Sequence, residues 1–182
     1  VAGNQVEMDG PRVVACVEKH VYTPRTRQAG FPIATRTRRR LSQETARNVM
    51  IARLVRQKVD QGHAVLIFCE FIEHVDVLAA MVPRSGVYTG KKKENVDNTH
   101  ALFATYSSFK EGVDFGHISC LVMAMPIAGN TEQVLGRIRK APPGSHRLDP
   151  VVVDIRDIPL WNNFKYAKLD SFYSQRGWTV TS

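Results

Sequence analysis

The sequence predicts an α/β fold in three layers, a parallel sheet with helices on both faces. Two observations predict it. Short apolar runs at 64–69, 101–104, 120–125 and 150–154 have the length and boundaries of strands buried on both faces. The stretches between several of them carry helical spacing, and alternating strands and helices require parallel pairing through crossover connections.

Taken in order, residues 1–10 are polar and read as a loose lead-in, and 13–17 is the first predicted strand. From Tyr22 to Arg40 the composition shifts to two prolines, a glycine and Arg25, Arg27, Arg36, Arg38, Arg39 and Arg40. Such a polar, broken stretch reads as a long loop or basic arm. It is a solvated connector, a phosphate-contacting arm or a nuclear-import patch. Ser42 is the expected N-cap of the next helix, with Glu44 in its first turn. Val49, Ile51, Leu54, Val55 and Val59 give that helix its apolar face, and Gly62 stops it.

The run 64–69 is the clearest strand. A helix over about 72–81 follows, ended by Pro83, with His74 read as an exposed or capping helix residue ahead of a retained functional one. Gly86-Val-Tyr-Thr-Gly90 is a short strand leading into Lys91, Lys92 and Lys93, either a solvated turn or a phosphate contact. After the 101–104 and 120–125 strands, Pro142-Pro-Gly144 is a break, and 150–154 is one more strand, ending in an acid. A last helix begins near Pro159. Trp161, Phe164, Leu169 and Phe172 stripe it at core spacing, and Gly177 closes it. The expected organisation is a lead-in strand and basic arm over 1–41 and one main domain over 42–182.

With 182 residues the chain is long enough to bury about 70% of its unfolded surface in one core. Apolar content of 43% and charged content of 23% fit a globular domain. No apolar run approaches the roughly 20 residues of a membrane span, and no secretory signal pattern opens the chain. The three cysteines, Cys16, Cys69 and Cys120, are widely spaced inside apolar runs. They read as buried thiols of a reducing, cytoplasmic compartment rather than a disulfide framework or zinc site. A net charge of +8 predicts an anionic partner, with nucleic acid favoured because the charge is clustered.

The stretch 100–143 organises the rest. In an open parallel sheet ligands gather beyond the carboxyl ends of the strands, so Thr105, Gly112, Asp114, Gln133, Arg137 and Arg139 or Lys140 are expected on one edge. The pattern Ala-Thr-Tyr-x-x-x-x-Glu-Gly-x-Asp at 104–114 resembles motif V of superfamily 2 helicases, in particular phage recombination and repair helicases and their XPB-type relatives. Gln133-x-x-Gly136-Arg137 resembles the first half of motif VI. The helix, 64–69 strand, helix order resembles the start of the second RecA-like domain, where the strand carries motif IV. The resemblance covers most of 42–178.

That resemblance implies the C-terminal RecA-like domain of an ATP-dependent DNA helicase or translocase, with RNA as a possible alternative to DNA. It implies ATP with Mg²⁺ as cofactor, and an N-terminal RecA-like domain, in cis or on another chain, as partner. The host cytoplasm is implied if the source is a phage or virus. Arg137 would stabilise charge at the γ-phosphate, a task suited to a permanently charged planar fork of donors. Gln133 would orient near the γ-phosphate or attacking water, and Gly136 would permit close helix approach. Asp114 would accept from the ribose beside Gly112. Thr105 would bond a phosphate of the tracked strand, with Lys91, Lys92, Arg38, Arg39 and Arg40 as further strand contacts. The second arginine of motif VI falls on Lys140, with Arg139 one place early, so either could serve that position.

Neither Gly-x-x-x-x-Gly-Lys-Ser/Thr nor an Asp-Glu box occurs, so the chain alone is expected to be inactive as an ATPase. Its alternative is an ATPase-inactive nucleic-acid-binding module of the same fold. A dinucleotide enzyme is disfavoured because no Gly-x-Gly-x-x-Gly follows a strand.

Overall fold

The computed structural model describes residues 14–27, 34–108, 116–125, 134–135, 144, 146–158, 160 and 163–182, with only the backbone described at 163–165. The elements are β1 (Cys16–Tyr22), α1 (Thr35–Ser42), α2 (Thr45–Asp60), β2 (Val65–Cys69), α3 (Ile72–Ala80), β3 (Gly86–Tyr88), β4 (Lys93–Glu94), β5 (Ala101–Thr105), β6 (Cys120–Met123), β7 (Val151–Asp157), α4 (Asn163–Arg176) and β8 (Thr179–Thr181). They form one 8-stranded sheet in the order β4-β3-β5-β2-β6-β7-β1-β8. Every neighbouring pair is parallel except β3–β4, a small antiparallel turn at one margin.

The central strands are apolar on both faces because both faces are covered. Leu66, Phe68, Leu102, Ala104, Leu121 and Met123 pack on one side with Tyr166, Leu169, Phe172 and Tyr173 of α4. Ile67, Cys69, Phe103, Val122, Val153 and Ile155 pack on the other with Ile51 and Val55 of α2 and Val75 and Leu78 of α3. The three predicted layers are therefore present. Of the predicted stripe, Leu169 and Phe172 lie in the core, while Trp161 and the Phe164 side chain lie outside the described residues. Cys69 and Cys120 are buried free thiols, both raised in pKa by burial, Cys120 to about 12.

Strand β7 shows the alternation in full. Asp154 and Arg156 point to the α4 side, where Arg156 bridges Asp154 and Asp170, and the Tyr173 hydroxyl donates to Asp154 at 2.9 Å. Asp157 points to the α2 side. Two glycines end helices where they were predicted to. Gly62 (φ +100°) and Gly177 (φ +68°) follow α2 and α4 in the left-handed region. After α4 the Gly177 and Trp178 amides close back on Ser174 and Tyr173, and the Trp178 ring stacks on Tyr173 at 6.0 Å.

Several expectations are corrected. The first strand is Cys16–Tyr22, not 13–17. The basic stretch is not a loop throughout: Thr35–Ser42 is helical, and Arg36, Arg38, Arg39 and Arg40 are carried on α1. Proline and glycine end before this segment, and within it Thr37, Leu41 and Ser42 face inward. Ser42 therefore closes α1 instead of capping α2, whose N-cap is Glu44. The Glu44 carboxylate turns back to accept from the Tyr22 hydroxyl and from the Arg25 and Thr26 amides. Burial opposes its ionisation, but the bonds from Thr26, Arg25 and Tyr22 hold its pKa below the ordinary value. The last helix starts at Asn163. Among the described helices none is long and apolar enough to cross a membrane.

Candidate nucleotide and nucleic-acid edge

Parallel pairing puts the carboxyl ends of β3, β5, β2, β6, β7 and β1 on one edge. Tyr88, Ala104, Phe68 and Met123 stand level, while β7 and β1 run on to Asp157 and Tyr22. The edge is thus stepped, and the step lies beside the end of β6.

Below it a buried polar layer fixes the helices. The Arg47 guanidinium, on α2, meets the Asp157 carboxylate through Nε–Oδ1 at 2.8 Å and Nη2–Oδ2 at 2.9 Å. Its Nη1 approaches Met125 Sδ at 3.6 Å. Burial pushes the Asp157 carboxyl above its ordinary pKa, against the pull of Arg47. At the next residue, Asn48 Nδ2 donates to the Ser42 carbonyl, which directs Asn48 Oδ1 at His74 Nε2, 2.8 Å away. His74 is therefore neither exposed nor capping: it is 2% exposed, and burial lowers its pKa to about 3. Sequence reasoning missed Arg47, Asp157 and Asn48, and the only available signal was polar residues at positions whose helical or strand phase points inward.

Of the residues predicted to touch nucleic acid, the structure brings several together. The Arg38 Nε and Nη2 grip the Glu70 carboxylate just beyond β2, at 2.9 to 3.0 Å. Arg39 lies 4.3 Å over the Phe71 ring and reaches Glu73 at 3.1 Å. The Glu73 carboxylate, fully exposed, is held below its ordinary pKa by its own backbone N–H, and Arg39 and Lys91 add to this. Arg39 thus reaches this carboxylate from α1, while Lys91, in the turn after β3, acts on it only through its charge. Lys92 is exposed beside Glu94, and Arg40 is exposed on α1. Thr105 ends β5 but is buried, its hydroxyl 2.8 Å from Ser108 Oγ.

The residue after it, Tyr106, continues the β2 pairing by donating its amide to the Cys69 carbonyl, and its ring stacks on Phe68 at 5.2 Å. Its hydroxyl donates to the Met125 carbonyl at 2.7 Å. Met125 and Leu135 are both fully buried in core packing, and Val134–Leu135 are helical. Gly112, Asp114, Gln133, Gly136, Arg137, Arg139 and Lys140 lie outside the described residues. Among the described residues no group of His, Cys, Asp or Glu could hold a metal ion. A groove of about 570 Å³ lies at the opposite, amino edge, lined by Asp97, His100, His117 and Arg147 among others. It contains none of the predicted site residues.

No known family profile matches the chain. Helicase D10 of Escherichia phage T5, named as a probable helicase, is 30% identical over 124 residues, covering 58% of this chain and 26% of D10. The African swine fever virus protein QP509L, whose name proposes an ATP-dependent RNA helicase, is 26% identical over 113 residues, covering 54% of this chain and 22% of QP509L. The chain thus spans about a quarter of these curated relatives. Among solved structures, phage T4 UvsW superposes with TM-score 0.65 at 14% identity, over 93% of this chain and 41% of UvsW. The C-terminal domain of the DEAD-box protein Dbp5 superposes with TM-score 0.56 at 12% identity, over 93% of this chain and 90% of that domain.

Proposed function

We propose that this chain, whose fold is that of the C-terminal RecA-like domain of superfamily 2 helicases, is the second half of an ATP-driven nucleic-acid motor. One observation carries the reading. Strands β5 and β6 flank β2 and end on the same edge, and in the sequence they are the strands that precede Gly112-x-Asp114 and Gln133-x-x-Gly136-Arg137.

In this reading a nucleotide lies between the carboxyl edge and an N-terminal RecA-like domain. That domain supplies the phosphate cradle and the Mg²⁺ ligands, which bind and orient the triphosphate. Arg137 and Gln133 contribute from this side. A guanidinium fixed opposite the γ-phosphate stabilises charge that develops during hydrolysis, where its effect on rate is largest. Arg40, Lys91 and Lys92 draw in the phosphate backbone of a single strand, with DNA as the proposed substrate and RNA as the alternative. Lys140 in place of the second motif VI arginine favours a second reading, a domain that binds nucleic acid without completing an ATP site.

The test is steady-state ATPase with this chain joined to, or mixed with, its N-terminal domain. Turnover should need Mg²⁺ and rise with single-stranded DNA, while this chain alone stays at background. A strand that binds without stimulating turnover would establish the binding-module reading instead.

A further inference from the structure

We infer that Tyr106 is a positioning residue whose hydroxyl holds the Met125 backbone, just past β6, against the turn after β5, at the point from which the chain runs on toward Gln133 and Arg137. The inference rests on the motor reading above. Its geometry is a bridge between two neighbouring parts of the edge. One end is Tyr106 itself, next to Thr105 and locked onto β2 by the Cys69 carbonyl and the Phe68 ring. The other is the Met125 carbonyl, accepting the phenol at 2.7 Å at the start of the chain that continues to Gln133.

Met125 is gripped from its other side by Arg47, which touches its sulfur. Met125 is thus held at its carbonyl by the phenol and at its sulfur by the buried guanidinium, and a shift at the Thr105–Ser108 turn is passed to its backbone through the phenol's hydrogen bond. Met125 sits two residues beyond β6, one past Ala124, whose amide still donates to the Phe68 carbonyl of β2. Beyond that point the ladder no longer dictates its position. Tyr106 supplies the missing constraint. The phenol, not the aromatic ring, is the distinguishing part, since Phe would keep the stack on Phe68 and lose only the bond.

Two measurements on Tyr106→Phe test this, with Tyr106→Leu, which also loses the stack, as reference. In this chain, amide exchange over 124–135 should accelerate about 3- to 10-fold in Tyr106→Phe, the expected effect of one lost neutral hydrogen bond. The β2 and β5 amides should keep their protection. In the two-domain protein, kcat with single-stranded DNA should fall by a similar factor, while KM for ATP and the strand concentration for half-maximal stimulation stay within about two-fold. Tyr106→Leu should add a general loss of thermal stability. Unchanged exchange over 124–135 in Tyr106→Phe overturns the inference. So does a loss of Tm equal to that of Tyr106→Leu, which would make the residue merely structural. Faster exchange together with wild-type kcat would leave the anchor standing and overturn its role in turnover. If the unaltered two-domain protein shows no stimulated ATPase, the motor reading fails on its own, and exchange alone decides the anchor.

Discussion

Arg47 and Asp157, 110 residues apart in the chain, meet through two hydrogen bonds with neither side chain exposed. One belongs to the first turn of α2 and the other to the last position of β7, so the pair fastens a helix to the projecting step of the sheet edge. Taking both ions out of water costs several kcal/mol each in general, a cost recovered only with matched geometry. The planar guanidinium provides that match, and its third nitrogen reaches Met125.

Removing one partner should therefore cost more than removing both. Arg47→Ala is expected to lose about 3–5 kcal/mol of stability, because Asp157 is left buried and uncompensated. The double variant Arg47→Met with Asp157→Leu should recover most of that loss. Urea unfolding of the three proteins checks the order, and a double variant no more stable than Arg47→Ala would refute it.

His74 predicts acid sensitivity. Its Nε2–H donates to Asn48 Oδ1, and its Nδ1 is buried with no hydrogen-bond partner among the described residues, so a second proton would be buried unpaired and repelled by the Arg47 charge. An unfolded histidine takes that proton near pH 6.5, the folded one near 3. The unfolded state thus binds more protons between these values. Stability from neutral His74 is fully present above about pH 6.5 and is lost as pH falls toward 3, by up to several kcal/mol. His74→Gln should cost stability at pH 7.5 yet flatten the decline of Tm between pH 6.5 and 4. An unchanged slope would assign the acid sensitivity to other groups.

The same residue marks where sequence reading stopped. The sheet was legible because both faces are covered: 64–69 and 101–104 are apolar without interruption, and only a two-sided core explains that. Helix ends were legible where a glycine takes the left-handed turn, as at Gly62 and Gly177. The helix Thr35–Ser42 was not, because its arginines look solvated by composition. Their partners, Glu70 and Glu73, stand more than thirty positions away. His74 was misplaced for a related reason. A buried imidazole needs a polar partner, and Asn48 belongs to another helix, so no local pattern announces the pair. Of the proposed site, motif order was legible, while the Tyr106–Met125 bond depends on how β5 and β6 flank β2.

The arginines of α1 should now separate into two classes. Arg38 is bidentate to Glu70, so Arg38→Ala should lower stability by about 1 kcal/mol as well as any affinity. Arg40, Lys91 and Lys92 are exposed, and replacing them by Ala should leave Tm unchanged. If each contacts one phosphate of a single strand, the triple variant should reduce the slope of log affinity against log salt by about 2. Fluorescence anisotropy from 50 to 300 mM salt reads that slope. Wild-type dependence in the triple variant would show that the strand runs elsewhere.

The motif VI residues give the sharpest test of the motor reading. Arg137 is assigned to charge that builds up chiefly in the transition state, so Arg137→Ala in the two-domain protein should depress kcat while nucleotide affinity changes little. The expected loss is about 10³- to 10⁵-fold, the range for such a finger in phosphoryl transfer. The neighbouring cations then identify the second contact. If Lys140 holds it as a point charge, Lys140→Arg should raise turnover by restoring a planar fork. If Arg139 has taken it over, Arg139→Ala should cost more than Lys140→Ala. Thr105→Ala should raise the strand concentration needed for half-maximal stimulation, and its loss of the bond to Ser108 can be followed separately by Tm. The measurements are ATPase rates with and without single-stranded DNA, and DNA against RNA of equal length. Near-normal turnover in Arg137→Ala under all these conditions would mean that this edge does not complete an ATP site. The arginines and lysines around Glu70 and Glu73 would then be left with nucleic-acid binding alone.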